Sequence, residues 1–122
     1  MRWGKLAAVA VVGTAVSLLP AATMLGAGGD LDPSFDGDGK TIVNLASANA
    51  VGVAPDGKLV LVYGESSSFA AVRLNADGSL DTSFDGDGKA VVDVTGGYDE
   101  AIAVDFTADG KIVIAGNANV NF

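Results

Sequence analysis

The sequence predicts an all-β repeat fold, and three observations support it. A ten-residue motif occurs at 31–40 as "LDPSFDGDGK" and again at 80–89 as "LDTSFDGDGK", 49 positions later. After Gly29, short runs of β-branched and aliphatic residues alternate with turns rich in Gly and Asp, without helical periodicity. A period of about 50 residues is typical of propeller blades. We therefore expect four-stranded antiparallel blades of a β-propeller-like repeat, incomplete at fewer than three blades, preceded by an N-terminal signal helix.

Residues 1–29 have the pattern of a secretory signal peptide. Two basic residues precede 14 uncharged, largely apolar residues at 6–19. Pro20 then ends any helix, and small residues follow, so we expect cleavage after Ala27 or Gly29. The alternative is an uncleaved membrane anchor, but a spanning helix needs roughly 20 apolar residues and Pro20 interrupts this one. We expect a secreted or cell-surface protein without stable membrane insertion after processing.

The exported part is strongly acidic. Residues 30–122 contain 5 basic and 15 acidic side chains, a net charge of −10. Such a surface repels phosphate backbones and anionic lipids, which disfavours nucleic acid and membrane surfaces as partners. Cations and basic ligands remain compatible with it.

The chain contains neither Cys nor His. Disulfides therefore cannot stabilise the exported part, and packing must do so. The composition, 49% hydrophobic and 18% charged, is that of a globular chain. Without His and Cys, the commonest general base, the thiol nucleophile and the usual zinc ligands are missing, so we do not expect an enzyme.

The repeat divides residues 30–122 into a first copy at about 31–79 and an incomplete second copy at about 80–122. Four extra residues near "TGGYDE" lengthen the second copy, as a surface loop tolerates. The turns "APDGK", "NADGS" and "TADGK" predict type I turns closed by a Gly bulge. The strands predicted in the first copy are Lys40–Leu45, Ala50–Ala54, Lys58–Tyr63 and Phe69–Leu74.

Two runs are apolar at every position, "LVLVY" at 59–63 and "IVIA" at 112–115. Successive side chains of a strand point to opposite faces, so both faces of these strands are predicted to be buried. Sheets stacked around a common axis provide that environment, whereas a single blade cannot.

The segments "RLNADGSLDTSFDGDGKAVVDV" and "ADGKIVIAG" resemble the delta-60 repeat family. The resemblance covers nearly all of the chain after Gly29. It implies an exported bacterial-type protein with propeller-like blades in tandem, and no catalytic activity. Members carry many repeats, whereas this chain has fewer than two and a half, and Phe122 occupies the position of Phe69. We therefore expect a piece of a longer protein that associates through uncovered sheets; several copies forming a ring is the alternative.

The acidic motif offers weak calcium candidates, Asp36, Asp38, Asp85 and Asp87. Clustered oxygen ligands in a flexible loop suit Ca²⁺, but the spacing does not follow the EF-hand pattern. Asp and Gly are also the residues that tight solvated turns require. We favour solvated turns and assign no catalytic, cofactor or metal residue.

Three basic residues stand out beside these turns. Lys40 and Lys89 follow the acidic motifs, and we expect them to neutralise neighbouring aspartates rather than bind an anion. Arg73 lies in an apolar run, where we expect an outer-strand residue that faces water or pairs with an adjacent carboxylate.

These patterns predict an exported repeat scaffold for extracellular binding or surface display. The expected partners are further repeats of the same chain and an extracellular protein or glycan. One alternative is a calcium-dependent structural or adhesion module. Another is a propeller hydrolase or lyase whose site lies in further blades.

Overall fold

The structure, a computed structural model, describes residues 8–10 and 29–120, which form eight β-strands and no helix. Among them there is consequently no helix that could cross a membrane. The strands fall into two compact units, Met1–Ala46 and Ser47–Phe122. In chain order the strands are β1 (Ala8–Ala10), β2 (Lys40–Ile42), β3 (Ala50–Val53), β4 (Leu59–Glu65), β5 (Ser68–Leu74), β6 (Lys89–Val92), β7 (Asp99–Phe106) and β8 (Ile112–Ala118).

The first unit contains one parallel strand pair. β1 pairs with β2, with Ala8 opposite Lys40 and Ala10 opposite Ile42. The predicted signal helix falls on residues 1–29, most of which lie outside the described residues. The three that belong to β1 are extended.

The second unit contains a four-stranded antiparallel sheet in the order β3-β4-β5-β6 and a two-stranded hairpin, β7-β8. The three predicted type I turns with a Gly bulge are confirmed. Gly57, Gly78 and Gly110 have φ of 84°, 89° and 83°, and each donates its N–H to the carbonyl three residues earlier. Glycine takes this left-handed conformation without the steric penalty that a β-carbon brings.

The fourth strand of the sheet comes from the second sequence copy. Three predicted strands are confirmed as β3, β4 and β5. The strand predicted at 40–45 is shorter, Lys40–Ile42, and forms β2 in the other unit. β6 takes the fourth place, with Val72 opposite Lys89 and Phe69 opposite Val92. The chain after β5 turns back on itself, with Leu80 bridged to Leu74, and this return brings β6 to the edge of β5.

The hairpin packs on one face of the sheet. Val60, Val62, Ala71 and Ala101 form a cluster in which no side chain is more than 2% exposed. Burying a valine side chain stabilises a fold by roughly 1.5–3 kcal/mol, so this cluster holds the two layers together. The hydrophobic side chains packed around it are Ala50, Phe69, Phe84, Val104, Phe106, Ile112 and Ile114.

Burial on both faces holds for β4 and not for β8. Val60, Leu61, Val62 and Tyr63 are each at most 2% exposed, which confirms the prediction for β4. On β8, Ile112 and Ile114 are half-buried, but Val113 is 49% exposed. The prediction for 112–115 is therefore wrong in this chain, because no strand among the described residues covers the outer face of the hairpin.

Candidate functional site

The ten-residue motif forms the same loop in both copies, and we call residues 31–40 and 80–89 the acidic loops. In the first, the Phe35 N–H donates to the Asp32 carbonyl at 2.9 Å, and the Gly39 N–H donates to the Phe35 carbonyl at 2.7 Å. The corresponding distances in the second loop are 3.0 and 2.7 Å. The motif is therefore repeated because it specifies a backbone conformation.

The four calcium candidates are exposed in these loops. Asp38 and Asp87 each accept a hydrogen bond from the backbone N–H two residues later, at 2.9 Å in both loops. Asp36 and Asp85 both have φ of 50°, a conformation that Asp tolerates in turns. Across residues 29–120, no three acidic side chains converge as a metal site would require. Solvated turns stay the prediction, with calcium binding as the untested alternative.

Asp81, at the start of the second acidic loop, is the centre of a buried ion network. The residue is 4% exposed. Its carboxylate Oδ2 accepts hydrogen bonds from Lys58 Nζ and from Arg73 Nε, both at 2.6 Å. Ser83 Oγ donates to Oδ1 at 2.6 Å. The network joins the turn before β4, the strand β5 and the acidic loop, so it fixes the loop to the sheet.

The hydrogen bonds from Lys58, Ser83 and Arg73 hold the pKa of Asp81 well below its usual range, against the opposing effect of its burial. Arg73 pairs with a carboxylate as predicted, but β5 is an inner strand of the sheet, so the expected outer-strand position is wrong. The Arg73 guanidinium also lies 4.6 Å from the centre of the Phe84 ring. A cation over an aromatic face adds attraction and positions the ring.

Lys89 has a different partner from the one predicted. Its Nζ donates to Glu65 Oε1 at 2.6 Å, across the sheet from the acidic loop. Tyr63 Oη donates to Glu65 Oε2 at 2.7 Å. Lys89 and Tyr63 lower the pKa of Glu65, whereas burial and then the Glu65 carboxylate raise the pKa of Tyr63 well above its ordinary value. Spatial register across strands, which the sequence order conceals, selects Glu65 over the adjacent Asp87.

Every basic side chain within residues 29–120 is paired with a carboxylate. Lys40 lies 3.8 Å from Asp38, which confirms the predicted neighbour pair, and Lys111 lies 3.0 Å from Asp109. The remaining three belong to the Asp81 and Glu65 networks. Each of these five cations therefore has an acidic partner, although the Lys111 side chain is largely exposed.

Asp99 is a buried anchor that the sequence pattern does not reveal. It is 1% exposed and accepts hydrogen bonds from the backbone N–H groups of Val94 and Thr95, at 2.9 and 3.0 Å. The Thr95 hydroxyl donates to its other oxygen at 2.5 Å. These bonds, the Thr95 hydroxyl first, lower the pKa of Asp99. The insertion in the second copy is therefore organised around a carboxylate.

An apolar groove lies beside the hairpin, on the face of the sheet that the hairpin only partly covers. Its volume is about 280 Å³. Strand β8 forms one wall with Ile112 and Ile114, while β5, β6 and the acidic loop form the floor. The residues that line the floor are Phe69, Ala71, Phe84, Ala90 and Val92. This groove follows from the pairing of strands and not from any local motif.

The comparisons with known proteins agree with this architecture. A family model described as "Domain of unknown function (DUF5122) beta-propeller" matches residues 54–84, which include β4, β5 and the first half of the second acidic loop. No curated protein and no solved structure matches the chain significantly. The matched segment is similar to a propeller repeat, and this similarity agrees with the all-β structure and its antiparallel sheets.

Proposed function

We propose that this chain is an exported β-propeller-like scaffold of the delta-60 type, used for extracellular binding or surface display. The observation that carries the proposal is the face-to-face packing of the β7-β8 hairpin on the β3-β6 sheet. Tandem repeats that stack in this way make a rigid framework, on which loops present a binding surface.

The ion networks support a structural role for the most buried charges. Asp81 joins three segments, and the hydrogen bonds it accepts keep it ionised. A general acid needs a pKa raised towards the working pH, which is the opposite of the direction at Asp81. This direction supports a structural role for Asp81, and the function proposed for the chain is binding.

The surface charge indicates the class of ligand. Residues 30–122 carry a net charge of −10, and the basic groups are held in ion pairs. Such a surface favours neutral glycans and neutral or basic proteins over anionic partners. A further repeat that carries basic residues would also be a compatible partner for this acidic surface.

Export is the part of the proposal that a single fusion experiment tests. Residues 1–29 are joined to a reporter enzyme that is active only outside the cytoplasm, and the fusion is expressed in a bacterial host. We expect reporter activity and a cleaved product whose N-terminus follows Ala27 or Gly29. Val12→Asp, which places a charge in the apolar run, should abolish export.

The matched control is Lys5→Arg, which preserves the positive charge before the apolar run and should leave export intact. A fusion that stays in the cytoplasm with the unaltered segment would overturn the proposal of export. An exported product that keeps residues 1–29 and sediments with membranes would instead favour the anchor.

A further inference from the structure

Strand β8 has an open edge in the part of the chain that the structure describes, where it pairs only with β7. The Thr107 N–H donates to the Lys111 carbonyl at 3.0 Å, which sets the alternation of hydrogen bonds along the hairpin. The backbone N–H and C=O of Val113 therefore form hydrogen bonds with β7, while the backbone N–H and C=O groups of Ile112 and Ile114 point to the open edge. An edge of this kind accepts another strand.

The side chains of the same two residues point into the apolar groove. Ile112 and Ile114 lie beside Phe69, Phe84 and Val92. The groove continues the hydrophobic core around Val60 and Val62, since Ala71 belongs to that core and four other lining residues pack against it. A strand added at this edge would thus place alternate side chains on an apolar floor.

The sequence repeat identifies which kind of strand fits. Leu59 and Leu61 of β4 correspond to Ile112 and Ile114 of β8, at an offset of 53 residues. On β4 the equivalent edge is occupied by β5, where Leu74 lies opposite Leu59 and Val72 lies opposite Leu61. A strand with the β5 pattern would place its own leucine and valine opposite Ile112 and Ile114.

A lysine next to the groove is placed to pair with a carboxylate that follows a β5-type strand. Lys58, just before β4, donates to Asp81, seven residues after the end of β5. Lys111 holds the equivalent position before β8, with a side chain that is 77% exposed and 3.0 Å from Asp109. A carboxylate at the position of Asp81 in an added segment would therefore meet a lysine.

We propose that the edge of β8 and the adjoining groove form a docking site for a β5-type strand supplied by a separate polypeptide. That strand carries apolar side chains at alternate positions and a carboxylate seven residues beyond the last of them. Strand addition of this kind gains affinity from main-chain hydrogen bonds and specificity from the alternate side chains. The site goes beyond the proposed export and display, and it does not depend on them.

A second copy of this chain docked through its own β8 does not fit the site. Antiparallel pairing of two β8 strands keeps the same face of each hairpin on the same side of the joint sheet. The space next to β8 lies above β5 and β6, because these strands form the floor of the groove. The β5 and β6 strands of both copies would then occupy the same volume.

The test uses the full chain and a synthetic peptide with the sequence of residues 68–81, SFAAVRLNADGSLD. We expect saturable binding by calorimetry, with slowed amide exchange at Ile112 and Ile114 and little change along β3. A peptide with aspartate at the positions of Val72 and Leu74 should bind at least about tenfold more weakly, because it cannot bury those side chains. Binding of both peptides with equal affinity, or of neither, would overturn the proposal.

Two variants of β8 provide a matched pair, because their side chains lie on opposite faces. Ile114→Ser should weaken binding of the unaltered peptide by about tenfold, whereas Val113→Ser should leave it unchanged. Equal losses in both variants would contradict docking at this face. If Ile114→Ser fails to fold, the altered peptide still decides the matter, since it leaves the protein untouched. Self-association that protects the β8 amides and excludes the peptide would identify a second copy as the occupant and overturn the proposal.

Discussion

Leu80 packs directly against Gly88, so that a β-carbon on the glycine would lie 2.6 Å from the leucine Cγ. The first acidic loop repeats this relationship, where a β-carbon on Gly39 would lie 2.5 Å from the Leu31 Cβ. The first and ninth residues of the motif therefore close the loop together. This contact explains why both residues recur in the two copies.

Gly88→Ala should lower the free energy of unfolding by about 3 kcal/mol, because it adds a steric clash to the cost of a φ of 89°. Gly86→Ala is the control, since its φ is 88° but a β-carbon there meets nothing within 4 Å. We expect about 1 kcal/mol for this variant. Urea denaturation of both variants measures the difference, and equal losses would contradict a role for the Leu80 contact.

Ser67→Gly should stabilise the protein by about 1 kcal/mol. Ser66 and Ser67 connect β4 to β5 with φ of 50° and 67°, as a type I′ turn requires, and glycine adopts such values without strain. Ser68→Gly is the control, because Ser68 already belongs to β5 and glycine weakens a strand. Thermal unfolding should shift in opposite directions for the two variants, and a shift in the same direction would argue against turn strain.

Asp81→Asn should lower the Tm by at least about 5 °C at pH 7, because it leaves Lys58 and Arg73 without their shared carboxylate. The folded-state pKa of Asp81 is depressed, so its contribution is present above the unfolded value of about 3.9 and is lost as pH falls through the folded value. The Tm of the unaltered protein should consequently fall below about pH 4. The variant should show a shallower fall.

Asp85→Asn is the matched control for that experiment, since Asp85 is exposed in the same acidic loop. Its Tm should change by less than about 2 °C at pH 7. Equal effects of the two substitutions would show that general charge, and not the Asp81 network, determines the acid sensitivity.

Val62→Ala should destabilise the protein by about 2 kcal/mol, because Val62 is completely buried between the sheet and the hairpin. Val113→Ala removes the same atoms from a side chain that is 49% exposed, and should change stability by less than about 0.5 kcal/mol. Chemical denaturation tests the pair. If the two losses were similar, the face-to-face packing would not be a principal source of stability.

Removal of calcium should leave the Tm unchanged to within about 1 °C. The carboxylates of Asp38 and Asp87 already accept backbone hydrogen bonds within their own turns. The measurement compares thermal unfolding in excess chelator with unfolding in millimolar CaCl₂. A rise of several degrees with Ca²⁺, absent from an Asp36→Asn and Asp85→Asn double variant, would revive the calcium-dependent module.

Local patterns predicted the strands and the turns of this fold. The apolar run at 59–63 identifies a strand buried on both faces, and "APDGK" identifies the glycine with positive φ at Gly57. Both signals depend on neighbours in sequence. The positive φ values of Ser66 and Ser67 could not be predicted from the sequence, because serine is not among the residues that usually signal a type I′ turn.

Features that depend on strand register could not be predicted in the same way. Lys89 pairs with Glu65, 24 residues away, and Asp81 joins Lys58 to Arg73. The choice among fifteen acidic residues requires knowledge of which strands are adjacent. The burial of Asp99 likewise becomes visible only when the inserted loop closes over it.

The unit that repeats along the chain differs from the unit that folds. β3, β4 and β5 lie in the first sequence copy, while β6, which completes their sheet, begins at the last residue of the second acidic loop. A cut at Gly78 would therefore separate β6 from the other three strands of its sheet, although it falls close to a border of the sequence repeat. If a gene duplicated this unit, each added copy would supply the last strand of the preceding sheet and the first strands of the next. Backbone hydrogen bonds would then join every copy to the one before it.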